Sequence, residues 1–210
     1  GHKVSHLPVI KIELLEYEKI DFNDYKGIIF TSANAIKNLN LENINKKINC
    51  FCVGSATEKI VKQKGFQNIF CAEGNVNNLK EIILQNFDKK KGSLLYVSGE
   101  IVSYNLDQHL SEAGYSVSRI ITYTVENNDD IREEFINELK LNIPDIVFIY
   151  SENSARNYLN LMKKYNLLDC WMDTNLMCLG EKTSLVLNEI KWKKIFLFNS
   201  GEEEFLLYKI

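Results

Sequence analysis

Short apolar runs alternate with amphipathic stretches along most of this chain. Continuous apolar runs such as Tyr25–Phe30 and Asn175–Leu179 are typical of strands that are buried on both faces of a parallel sheet. Between them, apolar residues recur at helical spacing, as in Asn77–Phe87, and a last helical pattern runs from Glu202 to Tyr208. The alternation predicts an α/β fold with parallel sheets and right-handed crossovers.

Two short motifs occur twice, in the same order. Phe30–Ile36 and Ile149–Ala155 each place a small polar turn between an apolar run and a helical pattern. Val53–Thr57 and Leu179–Thr183 each place a glycine at the end of an apolar run. Because the copies keep a nearly constant spacing, the sequence predicts two similar α/β domains with a ligand cleft between them.

The turns that follow the predicted strands are rich in small hydroxyl residues, namely Thr31, Ser32, Thr57, Ser151 and Thr183. Ligands of open parallel sheets bind beyond the carboxyl ends of the strands. Helix N-termini at that edge present free N–H groups that hold carboxylates or phosphates without lysine or arginine. Ser and Thr are also common N-cap residues, so capping and ligand binding both stay open for each of them.

Composition narrows the classes of function. The net charge is −3 over 210 residues and the lysine runs are short and scattered, which argues against a nucleic-acid partner. No apolar stretch approaches the ~20 residues that span a bilayer. The five cysteines form no Cys-x-x-Cys pair and the chain has three histidines, which favours reduced thiols over a metal site or a disulfide framework.

No set of nucleophile and base is recognisable in the sequence. There is no Gly-x-Ser-x-Gly motif and no P-loop. Tyr123 lies near the end of the long β-branched run Ser116–Val125. A tyrosine in a strand generally packs against its neighbours, whereas one beside a cleft can donate a hydrogen bond to a leaving oxygen. Both roles stay open for Tyr123.

Several motifs, in order over nearly the whole chain, resemble the uroporphyrinogen-III synthase family. They are the Phe-Thr-Ser turn with its alanine-containing helix, the two Gly-x-x-Thr turns, the Gly74-Asn75 loop before Leu79, the segment Thr122–Val125 and the turn at Ser151. Each motif is weak alone, and their order and spacing make the resemblance specific.

The resemblance implies an enzyme of tetrapyrrole and heme biosynthesis. Such enzymes cyclise linear hydroxymethylbilane, which carries eight carboxylates, to uroporphyrinogen III, with inversion of ring D and loss of water. The resemblance implies a cytoplasmic monomer without cofactor or metal, and without nucleic acid or membrane as a partner. The implied fold has two flavodoxin-like, parallel-sheet domains joined by a two-stranded connector. We expect an inserted domain over residues 8–122, a second domain over 1–7 plus 126–210, and the returning connector over 123–125.

The resemblance also implies roles for individual residues. Tyr123 matches the family's tyrosine that assists departure of the hydroxyl group, and it is the expected catalytic residue. Ser32, Thr57, Ser151 and Thr183 match positions that contact substrate. The expected substrate-binding set is completed by residues of the same turns and of the Gly-Asn loop: Thr31, Ala33, Gly74, Asn75, Val76 and Glu152.

The chain departs from the family pattern in three places. The strand and helix that normally precede the segment matching residues 1–8 are absent, so the second domain is expected to lack them. Tyr150 stands where Phe or Thr is usual. The Gly99-Glu100 turn lacks the basic residue often seen nearby.

Two other functions stay open. A non-catalytic sensor or binding module for a small polyanionic ligand would use the same cleft and the same helix N-termini. A nucleotide-sugar transferase would also have two facing α/β domains, although this chain is short for one and lacks a clear nucleotide loop. Turnover of hydroxymethylbilane distinguishes the synthase from both.

Overall fold

Strands and helices alternate in the computed structural model, which describes residues 3–73, 75–128, 131–199 and 202. In these residues the strands are β1 (Ile10–Leu14), β2 (Tyr25–Phe30), β3 (Asn49–Val53), β4 (Asn68–Ala72), β5 (Ser93–Gly99), β6 (Val117–Asn127), β7 (Ile146–Ile149), β8 (Asn175–Leu179) and β9 (Lys194–Phe198). The helices are α1 (Ala33–Lys37), α2 (Ser55–Gln63), α3 (Val76–Asn86), α4 (Leu106–Glu112), α5 (Glu133–Leu141), α6 (Glu152–Lys164) and α7 (Glu181–Val186). Beyond Glu202, the predicted terminal helix lies outside the described residues.

The chain divides into two compact units. Unit 1 consists of Gly1–Lys11 and Glu126–Ile210, and unit 2 of Ile12–Val125. Both boundaries fall inside strands, one in β1 and one in β6, and these strands are neighbours in one sheet. The alternation of strands and helices, with parallel pairing in both sheets, confirms the predicted mixed α/β class. The domain bounds expected from the sequence (8–122, 1–7 plus 126–210, and 123–125) stay a prediction.

The larger sheet has the strand order β1-β6-β5-β2-β3-β4. Strand β2 pairs in parallel with β3 and β5, β3 with β4, and β5 with β6. Counted from β2, the five parallel strands have the order 3-2-1-4-5, which differs in detail from the 2-1-3-4-5 order of flavodoxin. In both arrangements, the place where the strand order reverses is the expected ligand site, and here it lies between β2 and β5.

Apolar side chains cover both faces of this sheet. Ile36 of α1 and Val61 of α2 belong to the core on one face, and Leu79 of α3 and Leu110 of α4 to the core on the other. Burial of each such side chain contributes about 1.5–3 kcal/mol. Helices on both faces explain the continuous apolar runs, and they fix the strand ends on which the turns are built.

The smaller sheet is parallel, with the order β7-β8-β9. Its core includes Trp171, whose ring lies 5.6 Å from that of Tyr158 and 5.5 Å from that of Trp192. In unit 1 these contacts hold α6 and the following short helix, Leu168–Trp171, beside the sheet.

The backbone repeats one local design, in β2–α1–β3–α2–β4 and again in β7–α6–β8–α7–β9. Ser32 and Ser151 are both extended N-cap residues that accept a hydrogen bond from the following turn. Gly54 and Gly180 both precede a helix with positive φ values of 78° and 77°. Because that conformation favours glycine, the recurring Gly-x-x-Thr motif reflects a recurring turn.

Candidate active site

A small pocket lies at the carboxyl ends of β2 and β5, where the strand order reverses. Its volume is about 150 Å³. Four residues predicted from the sequence line it: Thr31, Ser32, Val76 and Tyr123. The other lining residues are Tyr96, Gly99 and the segment 101–104. Pockets for a whole ligand measure roughly 300–1,000 Å³, so this one fits a part of a larger molecule.

The Tyr123 ring lies directly on the backbone of β5, with 7% of the residue exposed. The β5–β6 register pairs Ser98 with Ile121 and then Gly99 with Tyr123, so that Thr122 is an extra residue. Such a bulge re-aims a side chain. A Cβ atom on Gly99 would lie only 2.7 Å from Cζ of Tyr123 and 3.0 Å from its hydroxyl oxygen. Glycine at position 99 is therefore what allows the ring to occupy this place.

Besides the Tyr123 hydroxyl, a pair of neighbouring hydroxyl groups contributes to the same pocket. The Thr31 Oγ1 and the Tyr96 hydroxyl oxygen lie 3.1 Å apart. Tyr96 is 1% exposed, and burial raises the pKa of its hydroxyl above the usual value, against the opposing effects of Thr31 and Arg119. Tyr96 therefore keeps its proton at neutral pH, and either hydroxyl of the pair can donate to the other.

Arg119 of β6 reaches the turn at the end of β5. Its Nε donates to Ser98 Oγ at 2.8 Å, and its Nη2 donates to the carbonyl oxygens of Gly99 and Glu100 at 2.9 Å each. Its guanidinium carbon lies 5.9 Å from the centroid of the Tyr96 ring. The Gly99-Glu100 turn has no basic residue of its own, but Arg119 of the neighbouring strand places a guanidinium group beside it.

Sequence reasoning missed both Tyr96 and Arg119. Tyr96 lies inside an apolar run, where an aromatic residue is normally core. The signal for Arg119 is its charge, because a lone arginine within a mostly apolar strand needs partners that compensate its burial.

Three of the predicted binding residues cap helices. Ser32 Oγ accepts from Asn34 N at 3.2 Å, Asn75 Oδ1 accepts from Asn77 N at 2.9 Å, and Ser151 Oγ accepts from Ser154 N at 3.1 Å. These contacts satisfy N–H groups that a helix start leaves without a partner. The capping role is present for all three, and their contact with substrate stays a prediction.

The threonines of the two Gly-x-x-Thr turns, Thr57 and Thr183, are both buried in the first turns of α2 and α7. Thr183 Oγ1 donates to the Leu179 carbonyl oxygen at 2.9 Å. Among the residues that the structure describes, the Thr57 hydroxyl has no such partner. The N-cap residue of α2, Gly54, supplies no side-chain hydrogen bond, so the first N–H groups of this helix are not capped by a side chain.

The remaining predicted residues are not collected in the pocket. Ala33 begins α1 directly after Ser32. Ser151, Glu152 and Thr183 belong to unit 1, where Glu152 forms an ion pair with Arg156 on the surface of α6. Gly74 lies outside the described residues.

A larger cavity, of about 510 Å³, lies at the opposite edge of the same sheet, where β2 and β3 begin. Its lining includes Lys26, Glu42 and Asn49, and it contains none of the predicted site residues. Because ligands of parallel sheets bind at the carboxyl ends of the strands, we assign the candidate site to the smaller pocket.

The described ranges contain neither a metal-binding cluster nor a membrane-spanning helix. No group of three or more His, Cys, Asp and Glu side chains there could hold a metal ion. No helix there has both the length and the apolarity needed to cross a membrane.

Comparison with known proteins adds a family to this geometry. The chain is similar in fold to the uroporphyrinogen-III synthetase of Helicobacter pylori, with a TM-score of 0.67, 20% identity and coverage of 97% of this chain and 92% of that one. A mutant uroporphyrinogen III synthase from the extremely thermophilic bacterium Thermus thermophilus has a TM-score of 0.49 and 16% identity, over 96% of this chain and 86% of that one. No curated protein matches the sequence.

The family model described as uroporphyrinogen-III synthase HemD matches residues 1–197. This match covers nearly all of the 210 residues, including every helix described above and all but the end of the last strand. The chain therefore belongs to the uroporphyrinogen-III synthase family, whose members are cyclising lyases of tetrapyrrole and heme biosynthesis.

Proposed function

We propose that this protein cyclises hydroxymethylbilane to uroporphyrinogen III and that the Tyr123 hydroxyl assists the loss of water. One observation carries the proposed role of Tyr123. Its ring lies against Gly99 in a pocket that also contains the Thr31–Tyr96 hydroxyl pair. We infer the reaction from family membership, and we infer the residues that act on the substrate from the pocket.

The first chemical step breaks the bond between the terminal methylene carbon and its hydroxyl oxygen. The electron-rich pyrrole supplies the electron pair, loses its N–H proton and becomes an azafulvene. A hydrogen bond from Tyr123 stabilises the departing hydroxide, which combines with a proton and leaves as water. The substituted carbon of ring D then bonds to this methylene carbon and forms a spiro intermediate. The older bond from that ring D carbon to the methylene of ring C breaks, and the ring C methylene bonds instead to the free α-carbon of ring D, which loses its proton. Ring D is thereby closed in the inverted orientation. Because the leaving group departs readily, holding the chain in the correct geometry is the largest catalytic contribution.

The eight carboxylates of the substrate need hydrogen-bond donors. The pocket offers the protonated Tyr96 hydroxyl with Thr31, and α2 offers first-turn N–H groups without a side-chain cap. A volume of about 150 Å³ suits one ring with its substituents and not the whole tetrapyrrole. We include the turns at Ser32, Thr57, Asn75, Ser151 and Thr183 as contacts for other carboxylates.

We also propose that the protein acts as a cytoplasmic monomer. All five cysteines are free, and Cys50, Cys52 and Cys178 are buried. Free buried thiols are usual in reducing compartments.

The proposal is tested by turnover of freshly generated hydroxymethylbilane, with separation of the type I and type III isomers after oxidation. Linear bilane closes spontaneously to type I, so each reaction contains its own control. We expect the folded protein to give type III in large excess. Type I alone would contradict the proposal, and binding of the bilane without turnover would favour a sensor.

A further inference from the structure

We propose that Arg119 is a positioning residue for catalysis, which holds the Ser98–Glu100 turn so that the Tyr123 hydroxyl faces the departing hydroxyl group of the substrate. This inference rests on the proposed function, because it assigns a device to the same site. Arg119 does not line the pocket, and its guanidinium is bonded to the turn, so we expect it to act through the turn.

The side chain of Arg119 binds three consecutive residues of the turn. Its Nε and Nη2 donate to Ser98 Oγ, Gly99 O and Glu100 O over 2.8–2.9 Å. Ser98 Oγ in turn donates to Gly99 O at 2.9 Å. A planar guanidinium presents several donors in a fixed geometry, which a lysine ammonium cannot reproduce. The shape of the turn is thus set by one side chain.

The same turn fixes the place of Tyr123 in two ways. Its ring rests on Gly99 so closely that a Cβ atom there would meet Cζ at 2.7 Å. The Glu100 N–H donates to the Tyr123 carbonyl oxygen at 2.9 Å, and Thr124 Oγ1 donates to a Glu100 carboxylate oxygen at 2.7 Å. Movement of the turn would therefore move both the backbone and the ring of Tyr123.

The β5–β6 bulge leaves this segment without continuous ladder pairing. The register shifts between Ser98 and Gly99, at the level of the extra residue Thr122. A strand end with a disrupted ladder needs other contacts to define its conformation. Arg119 supplies them, and its guanidinium carbon lies 5.9 Å from the centroid of the buried Tyr96 ring.

A double-mutant cycle tests the inference. Steady-state turnover is measured for wild type, Arg119→Met, Arg119→Lys, Tyr123→Phe and the double variant Arg119→Met/Tyr123→Phe, with Arg132→Met as the control. Arg132 is exposed at the start of α5 and its side chain makes no capping bond. Thermal unfolding of every variant is recorded.

We expect kcat to fall about tenfold in Arg119→Met and Arg119→Lys while KM changes less than about twofold, and Arg132→Met to match wild type. In the Tyr123→Phe background, Arg119→Met should cost less than about twofold, because the hydroxyl that it positions is gone. Additive losses would overturn the inference. It would also be overturned by a raised KM that Arg119→Lys restores, since that pattern means a direct contact with a carboxylate.

If Arg119→Met does not fold, Ser98→Ala replaces it in the test, because this variant removes only one of the three acceptors of the Arg119 guanidinium. We expect it to lower kcat about threefold, with the same loss of effect in the Tyr123→Phe background, and an unchanged kcat would overturn the inference. Failure of the proposed function is distinct, since wild type would then give no excess of the type III isomer.

Discussion

The two repeats of this chain share a turn and differ in what stands beside it. Ser32 after β2 and Ser151 after β7 have nearly the same backbone conformation and both cap the helix that follows. In unit 2, β2 is flanked by β5, whose end carries Gly99 and leads into the pocket. In the described part of unit 1, β7 pairs with β8 alone, as the last strand of its sheet.

This difference shows that the capped turn is a structural motif, whereas the pocket beside β5 is the candidate site of the chemistry. The capped turn recurs because every helix start needs partners for its free N–H groups. The pocket occurs where the strand order reverses, because there two turns diverge and leave a groove. A duplicated motif therefore marks where sites can form, and the flanking strands decide which copy carries the reactive groups.

Gly99→Val changes the residue against which the Tyr123 ring lies. A side chain at position 99 would occupy the place of the Tyr123 ring, at 2.7 Å from Cζ. We expect kcat to fall about 100-fold, more than in Tyr123→Phe, because the valine both displaces the ring and fills part of the pocket that Gly99 lines. The matched control is Gly65→Ala, at a positive φ of 86° in open space, which should lower only the unfolding temperature. A Gly99→Val enzyme with wild-type kcat would contradict this placement of Tyr123.

The paired threonines give the next largest effect. Thr183→Val removes a buried donor to the Leu179 carbonyl oxygen, so we expect a loss of about 1–2 kcal/mol in the free energy of unfolding. Thr57→Val should cost less stability and instead weaken turnover. Urea unfolding and steady-state kinetics of both variants distinguish these outcomes. Equal losses of stability with unchanged turnover would make Thr57 a structural residue.

Alanine at the two capping serines tests the difference between the turn after β2 and the turn after β7. Ser32→Ala and Ser151→Ala should each lower the free energy of unfolding by about 1 kcal/mol, because each removes a helix cap. Ser32 also lines the pocket, so its variant should raise KM as well. Aspartate at either position restores the cap, and stability that does not recover in the aspartate variants would show that capping is not the main role.

The smallest effect concerns the buried thiols. Burial raises the pKa of Cys178 from 9.0 to about 12, and it raises those of Cys50 and Cys52 as well. The unfolded chain therefore releases these protons at lower pH than the folded one, and the free energy of unfolding falls as pH rises from about 9 towards about 12. Cys178→Ala should make this slope shallower in urea titrations between about pH 8 and about pH 11. An identical slope would mean that Cys178 ionises alike in both states.

The central strands of each sheet were the most predictable from the sequence, because they are largely buried. The continuous apolar runs of β2 and β8 predicted their observed bounds, because such runs are typical of buried parallel strands. Helix ends were harder to predict. The pattern from Ala33 to Leu41 is helical, but α1 ends at Lys37. The next backbone groups bond to Tyr17 instead: its hydroxyl donates to the Asn38 carbonyl oxygen and accepts from Asn40 N.

The site was predictable only in part. Thr31, Ser32 and Tyr123 could be identified because each adjoins the end of a predicted strand. Arg119 and Tyr96 could not, because their roles depend on which strands are neighbours and on the bulge at Thr122. Strand order in a sheet is set by crossovers between distant segments, and no local pattern encodes it.

The most direct test of Tyr123 as the catalytic residue is the single-turnover rate of type III formation in wild type, Tyr123→Phe and Tyr165→Phe. Tyr165 ends α6 in unit 1 and controls for loss of a tyrosine hydroxyl elsewhere. We expect Tyr123→Phe to be roughly tenfold slower with an unchanged unfolding temperature, and Tyr165→Phe to match wild type. Equal rates for wild type and Tyr123→Phe would remove Tyr123 from the mechanism.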